Sequence, residues 1–259
     1  MNDGPLAGLR IVITRPAHQA EALSQAITAA GGEPLLFPGL KIAPLQDMAL
    51  AQAQLARLAD HDWLIFISAN AVHAALQYAG VAALRAYGGR IAAVGAATAA
   101  ALTEASISVA LRPEEDFSSE GLLDTPALRE VDGSRVLIIR GEGGREHLAQ
   151  TLRARGASVE YAEVYRRCCP TPSAELIEAV WVRRAPEAVI ATSLQILDNL
   201  HRILTMEPAR HAWLAAQWVV VSQVMQVRAQ ELGCSKPALL ARPDNKSLLE
   251  ALLVWRTAT

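Results

Sequence analysis

The chain has 259 residues, of which 52% are hydrophobic, and its formal net charge is −2 at pH 7. A chain of this length and composition is expected to fold as one large or two small domains with a sizeable core. The near-neutral charge argues against a dedicated nucleic-acid binder. The uncharged run at residues 91–102 is too short for a membrane span, which needs about 20 apolar residues.

The cysteines and the first residues of the chain favour the cytoplasm. Cys168, Cys169 and Cys234 are odd in number and two of them are adjacent, so no disulfide framework is expected. Residues 1–10 lack the basic and apolar regions of a secretion signal. A reducing cytoplasm is therefore the expected location.

The first regular stretch, residues 9–45, has the pattern of a strand, a turn, a helix and a second extended run. Its strand is Ile11–Ile13, its turn contains Arg15, and its helix runs to Ala30. Gly31–Gly32 is a natural helix end, because glycine readily adopts the left-handed backbone conformation found there.

Strands and helices then alternate up to residue 130. Ser118 has the residue type and position of a helix N-cap, and the Thr98 hydroxyl is expected to cap the helix that follows Gly95. The predicted elements are a helix at 48–58, a strand at 61–70, a helix at 71–78, a strand at 90–95, a helix at 98–103, a strand at 109–111 and a helix at 118–123.

The second half of the sequence repeats the first at a nearly constant shift. The strand, turn, helix and strand recur at residues 134–165, where Arg140 corresponds to Arg15 (140 − 15 = 125). We interpret this pattern as the duplication of an α/β half. Further corresponding pairs are Ser68 with Ser193 (193 − 68 = 125), Gly95 with Ser222 (222 − 95 = 127) and the region of Ser118–Leu123 with residues 244–249.

Alternating strands and helices predict mostly parallel sheets that are covered by helices on both faces. Sheets of this kind bind ligands beyond the carboxyl ends of their strands. Hydroxyl, amide and guanidinium side chains collect at the strand ends in both halves of this sequence. Two such half-sites facing each other would form a ligand cleft between two domains.

The glycine-rich turn at residues 141–145 follows a strand and precedes a helix, as a dinucleotide-binding fingerprint does. The third glycine of that fingerprint is missing, because Glu146 stands in its place, and the next strand lacks the required acidic end. A nicotinamide or flavin cofactor is therefore not expected. A nest of backbone amides that binds an anion at the helix start stays open as an alternative.

Other catalytic patterns are missing from the sequence. None of the six histidines stands at zinc-ligand spacing from a cysteine or another histidine, so no metal site is expected. No serine lies in the G-x-S-x-G turn of a hydrolase. Tyr161 and Tyr165 share one face of a strand and can simply pack there, while Tyr165 also borders the expected cleft, where a phenol can donate a proton.

Seven short motifs stand in a fixed order along nearly the whole chain. The motifs are TRP at 14–16, FISANAV at 66–72, AVGAATA at 93–99, SSEGLL at 118–123, RGEGGR at 140–145, EVYRR at 163–167 and ATS at 191–193. Each motif is weak alone, whereas the ordered set is specific and resembles that of the uroporphyrinogen-III synthases.

The resemblance implies a cytoplasmic lyase of tetrapyrrole synthesis that uses no cofactor. Such enzymes take hydroxymethylbilane, remove water, invert the last pyrrole ring, ring D, through a spirocyclic intermediate, and close uroporphyrinogen III. The pyrrole nitrogens expel the hydroxyl group, so the protein mainly has to hold and bend a carboxylate-rich chain. The implied partner is this small molecule, with neither nucleic acid nor membrane, and a monomer is expected.

The family's functional residues carry over through the matching motifs. Tyr165 corresponds to the family's candidate acid. One departure is the sequence SQVM at residues 222–225, where Gly-x-x-Thr is common, so that Met225 replaces a hydroxyl. The implied substrate contacts are Arg15, Ser68, Asn70, Thr98, Ser118, Arg140, Arg145, Thr192, Ser193 and Ser222.

The resemblance also implies two flavodoxin-like α/β domains with parallel sheets, joined by a pair of extended β linkers. Domain 1 would combine residues 1–36 with residues 168–259, and domain 2 would be an insertion at residues 46–158. The linker strands would be residues 37–45 and 159–167.

A protein of a different class remains compatible with the duplication alone. A two-domain binding or sensor protein for a small anion would close on its ligand without chemistry. The product formed from hydroxymethylbilane separates the two hypotheses, because the enzyme yields isomer III and a mere binder leaves the spontaneous isomer I.

Overall fold

The computed structural model describes residues 4–114 and 116–258. The chain divides into two compact units. The first unit combines Met1–Lys41 with Cys168–Thr259, and the second unit is Ile42–Arg167. No helix in the described ranges is long and apolar enough to cross a bilayer.

The strands of the described chain are short, apart from two in the second half. They are β1 (Arg10–Ile13), β2 (Glu33–Leu36), β3 (Lys41–Ala43), β4 (Trp63–Phe66), β5 (Arg90–Ala93), β6 (Arg135–Gly141), β7 (Ser158–Cys168), β8 (Ala188–Ile190), β9 (Gln217–Val220) and β10 (Leu239–Leu240).

Helices follow most of the strands, with a 3₁₀ turn at Leu58–Asp60 and a π-helical turn at Glu178–Val182. The α-helices are α1 (Ala17–Ala29), α2 (Ala49–Leu55), α3 (Ala69–Ala79), α4 (Val81–Arg85), α5 (Ala96–Glu104), α6 (Ser119–Leu123), α7 (Pro126–Arg129), α8 (His147–Ala154), α9 (Ala174–Ile177), α10 (Leu194–Ile203), α11 (Ala209–Ala215), α12 (Gln223–Glu231) and α13 (Asn245–Ala258).

The first unit contains a parallel sheet in the order β10-β9-β8-β1-β2. Numbered along the chain within the unit, this is the order 2-1-3-4-5 of flavodoxin-like folds. Strands β1, β8 and β9 are buried along their whole length, as expected for a parallel sheet covered on both faces. In β1, Val12 packs into one apolar layer, while Ile11 and Ile13 pack into the other.

The second unit contains a sheet in the order β3-β7-β6-β4-β5, in which β7, β6, β4 and β5 pair in parallel. Leu137 and Ile139 of β6 face one apolar layer, and Val136 and Ile138 face the other. The predicted strand at 109–111 is wrong as a strand, because only Leu111 forms an isolated parallel bridge with β5. Both extended segments predicted as linkers contribute to this sheet, through β3 and β7.

The duplication is visible in the register of the strands. In the first unit, Arg10 of β1 lies opposite Glu33 of β2. In the second unit, Arg135 of β6 lies opposite Ser158 of β7, which is the same pairing at a shift of 125 (135 − 10 and 158 − 33). Each sheet combines strands from both halves of the sequence. The predicted class, α/β with parallel sheets, is confirmed.

Candidate functional site

Most of the predicted site residues lie at or shortly after the carboxyl ends of strands within their own unit, where parallel sheets place their ligands. Those of the second unit are Ser68, Asn70, Thr98, Ser118, Arg140, Arg145 and Tyr165. Those of the first unit are Arg15, Thr192, Ser193 and Ser222.

Tyr165 is held in place by two neighbours. The side chain is buried, with 6% of its surface exposed, and its hydroxyl lies 3.1 Å from the Ser68 Oγ. The ring packs against Gly141, where a Cβ atom would lie only 2.6 Å from two ring carbons. Glycine is therefore required at this position if the phenol is to keep its place, and sequence analysis did not identify this role.

Four of the predicted contacts are serines that cap helices. Each Oγ accepts a hydrogen bond from a backbone amide in the first turn of its helix, and this satisfies a donor that has no partner within the helix. A capping hydroxyl still has its own proton to donate to a ligand or a neighbour. The pairs are Ser68 with Ala71 (3.2 Å), Ser118 with Gly121 (3.0 Å), Ser193 with Ile196 (3.3 Å) and Ser222 with Met225 (3.3 Å).

The remaining uncharged candidates differ in their exposure. Asn70 lies half-buried in the first turn of α3, and Thr192 lies half-buried between β8 and α10. Thr98 is only 3% exposed and lies inside α5. The prediction that Thr98 caps this helix is wrong, because Gly95 occupies the N-cap position and no side chain caps α5.

Arg140 is buried at the end of β6 and is bound by carboxylates of the same unit. Its Nε and Nη2 lie 3.1 Å and 3.0 Å from the Glu163 Oε1, and its Nη1 lies 2.8 Å from the Glu146 Oε1. The guanidinium also stacks over the Tyr161 ring at 3.7 Å. Arg140 is thus engaged on several sides before any ligand arrives.

The carboxylate of Glu146 is shared between two donors. The Tyr161 hydroxyl donates to Glu146 Oε2 at 2.5 Å, and this bond, together with that from Arg140, holds the pKa of the Glu146 carboxyl below its usual range. Burial and the same hydrogen bond raise the pKa of Tyr161. Tyr161 therefore stays protonated and acts as a donor within this cluster.

The glycine-rich turn does not present all its amides to a ligand. Gly143 and Gly144 adopt left-handed φ values of 68° and 117°. The Gly143 amide donates to the Glu163 Oε1 at 3.1 Å. At this amide, the anion nest that the sequence left open as an alternative is occupied by a carboxylate of the protein itself.

A cavity of about 370 Å³ lies beside this turn in the second unit. Its polar groups include the capping Ser118 and three arginines, Arg140, Arg145 and Arg167. Arg145 pairs with Glu120 at 2.9 Å, but its side chain is 75% exposed, so this ion pair is weak and exchangeable. The lining also includes Ile67, Val94, Phe117, Ile138, Leu148, Ala149 and Tyr161. Such a cavity suits an apolar body that carries carboxylates.

Two candidates of the first unit, Arg15 and Ser222, lie beside α13. Arg15 donates from Nη1 to the Asn245 Oδ1 at 2.8 Å and from Nη2 to the Pro243 carbonyl oxygen at 2.5 Å, and burial lowers its pKa. The buried Thr14 hydroxyl donates to the Ile190 carbonyl oxygen at 2.6 Å, which ties the ends of β1 and β8 together. A groove of about 890 Å³ runs beside Ser222 and the start of β10.

Among the described residues, no group of three or more histidine, cysteine, aspartate or glutamate side chains has the arrangement of a metal site.

Comparison with known proteins assigns the family. A family model described as "Uroporphyrinogen-III synthase HemD" matches residues 21–250, which is well over half of the chain. The chain belongs to the uroporphyrinogen-III synthase family. The resemblance of the seven motifs is thereby confirmed.

Two curated members of the uroporphyrinogen-III synthase family match over their full length. The chain is 34% identical over 251 residues to the protein from Salmonella typhimurium, which covers 94% of this chain and 100% of the relative. It is 33% identical over 249 residues to that from Escherichia coli, with 94% and 100% covered.

Solved uroporphyrinogen-III synthases share the fold. The protein from Helicobacter pylori superposes with a TM-score of 0.63 at 17% identity, covering 95% of this chain and 99% of that chain. A mutant of the Thermus thermophilus protein gives 0.58 at 19% identity, covering 97% and 100%. At these identities the likeness supports the fold alone.

Two features of this uroporphyrinogen-III synthase family member were not read from its sequence. Arg167 lies in the motif EVYRR and lines the cavity, but it was not selected as a contact. Glu163 binds both Arg140 and the glycine-rich turn. The departure at Met225 places a buried side chain in the core of the first unit, where it is 2% exposed.

Proposed function

We propose that this chain converts hydroxymethylbilane into uroporphyrinogen III, with inversion of ring D and loss of water, in tetrapyrrole biosynthesis. The observation that carries the proposal is the family match over residues 21–250, together with full-length identity of 34% to a curated uroporphyrinogen-III synthase. The cavity in the second unit supports it, because pyrrole rings bearing carboxylates combine the apolar and anionic character that the lining residues would bind.

The proposed reaction uses the side chains of the protein and the substrate's own electrons. The nitrogen of the pyrrole that bears the hydroxymethyl group pushes electrons towards the hydroxymethyl carbon, the C–O bond breaks, and the hydroxyl departs as water. That carbon then bonds to the substituted α-carbon of ring D, which gives the spirocyclic intermediate. The bond from this α-carbon to its original bridging carbon breaks, and the bridging carbon bonds to the free α-carbon of ring D, which inverts ring D and closes the macrocycle. The last step releases one proton from carbon as the pyrrole regains its aromaticity, which balances the proton taken up by the departing hydroxyl.

Tyr165 is proposed as the general acid for departure of the hydroxyl group. Its phenol is fixed by Ser68 and Gly141 at the end of a parallel strand, the region where such sheets act on ligands. The phenol gives its proton to the departing hydroxyl and regains one in the final step. Help of this kind accelerates reactions by about 10²–10⁴-fold. The low end is expected here, because an electron-rich pyrrole drives the departure.

The substrate carboxylates are proposed to bind the exposed cations of the second unit first. Arg145 and Arg167 line the cavity, and both residues are exposed. Arg140 has its donors engaged by Glu146 and Glu163, so we propose that it acts chiefly by shaping the turn. Ser68, Asn70, Thr98 and Ser118 are further proposed contacts in this unit, and Arg15, Thr192, Ser193 and Ser222 are those of the first unit.

The organisation of the enzyme completes the proposal. We propose that residues 37–45 and 159–167 link a domain of residues 46–158 to one formed by residues 1–36 and 168–259. The working state is proposed to be a cytoplasmic monomer without nucleic acid, membrane or cofactor. The free thiols of all three cysteines are compatible with a reducing compartment.

A product assay tests the proposed function. The purified chain is incubated with hydroxymethylbilane, the products are oxidised, and isomers I and III are separated. The proposal predicts isomer III as the main product, whereas the same mixture without protein gives isomer I. Isomer I alone in the presence of folded protein would contradict the proposal and favour a binding or sensor protein.

A further inference from the structure

The hydroxyl of Ser68 stands between a helix amide and the phenol of Tyr165. Its Oγ accepts a hydrogen bond from the Ala71 amide at 3.2 Å and lies 3.1 Å from the Tyr165 hydroxyl. The Ser68 backbone is extended and serves as the N-cap of α3, so the hydroxyl is fixed at the positive end of an 11-residue helix. These three groups form a continuous row.

The direction of the protons in this row decides whether Tyr165 can act as an acid. A phenol has a single proton to donate. If Tyr165 donates to Ser68, its proton points away from a ligand. If Ser68 donates to Tyr165, each hydroxyl accepts one hydrogen bond and donates one, and the phenolic proton is left for the ligand. Hydrogen bonds linked in such a row also strengthen one another through mutual polarisation.

We propose that Ser68 is a positioning residue for the reaction: it donates its hydroxyl proton to the Tyr165 oxygen, directs the phenolic proton towards the departing hydroxyl, and stabilises the phenolate that remains. This inference rests on the proposed function, in which Tyr165 is the acid. No proton is gained or lost by Ser68 in this step. The phenolic O–H bond breaks, water leaves, and the Ser68 proton stays on Ser68 while its hydrogen bond to the phenolate shortens.

The first unit contains the corresponding helix cap without a tyrosine beside it in the corresponding position. Ser193, at the position corresponding to Ser68, caps α10 through the Ile196 amide at 3.3 Å. The position that corresponds to Tyr165 is Leu40 (165 − 125 = 40), which has no hydroxyl. Capping accounts for a serine at both positions, whereas the contact with a phenol belongs to Ser68.

Three substitutions separate the donor role from the cap. Ser68→Thr keeps the cap and the donor, so it should recover most of the dehydration rate that Ser68→Ala loses. Ser68→Ala removes the donor, and the dehydration step should slow about tenfold, as for loss of one hydrogen bond to a charged group. Ser68→Asp keeps a good cap but only accepts hydrogen bonds when ionised. It should turn the phenolic proton away from the ligand and slow the step by roughly 10²-fold, as expected for loss of the acid.

The experiment is a single-turnover assay with enzyme in excess over hydroxymethylbilane, so that weaker binding caused by the added Asp charge does not limit the rate. Each Ser68 variant is measured alone and combined with Tyr165→Phe, and thermal unfolding verifies that it is folded. In the Tyr165→Phe background, Ser68→Ala should cause no further slowing of dehydration. Ser173→Ala, which removes the cap of α9 made at 3.3 Å, is the matched control and should keep the wild-type rate.

The outcomes distinguish this inference from the proposed function. Wild-type dehydration in folded Ser68→Ala or Ser68→Asp, or a tenfold effect that persists in the Tyr165→Phe background, would overturn the positioning role of Ser68. A slow Tyr165→Phe variant beside such results would leave the acid role of Tyr165 intact. A wild-type rate in Tyr165→Phe would overturn the acid role and this inference together, and failure to form isomer III would overturn the proposed function itself.

Discussion

The two α/β units share a strand register but differ at the ends of their strands. Arg15 and Arg140 occupy corresponding positions, yet Arg15 donates to the neutral oxygens of Asn245 and Pro243, while Arg140 is bound by two carboxylates. Tyr165 in the second unit corresponds to Leu40 in the first. The scaffold is thus maintained by buried apolar strands, and its chemistry is set by a few residues beyond them.

The largest expected effect comes from separating the two halves of the sequence. Each sheet takes strands from both halves, so residues 1–130 lack the central strand β6 of one sheet and the strands β8 to β10 of the other. Expressed alone, residues 1–130 should show no cooperative thermal unfolding by circular dichroism, in contrast to the full chain. A sharp, monomeric transition for this fragment would show that a half folds independently.

The contact between Gly141 and Tyr165 gives the next largest effect. A methyl group at position 141 would overlap the Tyr165 ring at 2.6 Å. In the first unit the position that corresponds to Gly141 is Pro16 (141 − 125 = 16), and the position that corresponds to Tyr165 is Leu40. Gly141→Ala should cost about 1–3 kcal/mol through overpacking. It should also slow dehydration by roughly 10²-fold, because the phenol is displaced.

The control for this substitution is Gly88→Ala, because an added methyl group there meets nothing within 4 Å. Urea unfolding and the single-turnover rate should both remain close to wild type in Gly88→Ala. Equal stability and equal rates in Gly141→Ala and Gly88→Ala would mean that the Tyr165 ring can move aside without loss of stability or activity.

The loss of stability caused by replacing Arg140 should depend more strongly on pH than the loss caused by replacing Arg15. Hydrogen bonds from Tyr161 and Arg140 lower the pKa of the Glu146 carboxyl. A carboxyl with a lowered pKa in the folded state stabilises the fold above its unfolded pKa of about 4.3, and this contribution is lost as the pH falls through the folded value. Arg140→Met should therefore destabilise the fold at neutral pH, by an amount that solvent screening of the partly exposed carboxylates limits, and should destabilise it less as the pH falls below about 4.

Arg15→Met is the matched variant, since Arg15 donates to uncharged oxygens. Its cost in urea unfolding should change less between pH 7 and pH 3 than that of Arg140→Met. A constant cost of Arg140→Met over this range would show that its ion pairs contribute nothing to stability.

The smallest effect is expected at the cap of α6. Ser118→Ala removes the acceptor of the Gly121 amide and should cost about 1 kcal/mol. Ser118→Asn, which also caps helices well, should restore most of that stability in urea unfolding. If both variants lose activity while only Ser118→Ala loses stability, the Ser118 hydroxyl contacts the substrate in addition to capping the helix.

Much of the fold follows from local patterns in the sequence. The buried β-branched strands, the capping serines and the recurring shift of 125 each depend on nearby residues or on simple repetition. The predictions of a strand at 109–111 and of a cap at Thr98 were wrong. The segment at 109–111 forms only one bridge, and Gly95 occupies the N-cap position of α5. Local propensity does not settle such competition between neighbours.

The site was less accessible to sequence analysis, because its contacts join distant residues. Ser68 and Tyr165 lie 97 positions apart, and their contact depends on the order of strands in the sheet. Arg140 was expected to face the substrate, yet the register of β6 and β7 places Glu163 opposite it. That register, including the bulge after Arg140, is a property of the folded sheet.

The rate of dehydration in Tyr165→Phe tests most directly whether the Tyr165 phenol acts as the general acid. The matched variant is Tyr87→Phe, which loses a hydrogen bond to the His61 carbonyl oxygen before the amino ends of β4 and β5 in the same sheet. In single-turnover assays, Tyr165→Phe should slow dehydration by roughly 10²-fold while still forming isomer III, and Tyr87→Phe should keep the wild-type rate. Equal rates in the two folded variants would contradict the account and leave Tyr165 as a packing residue.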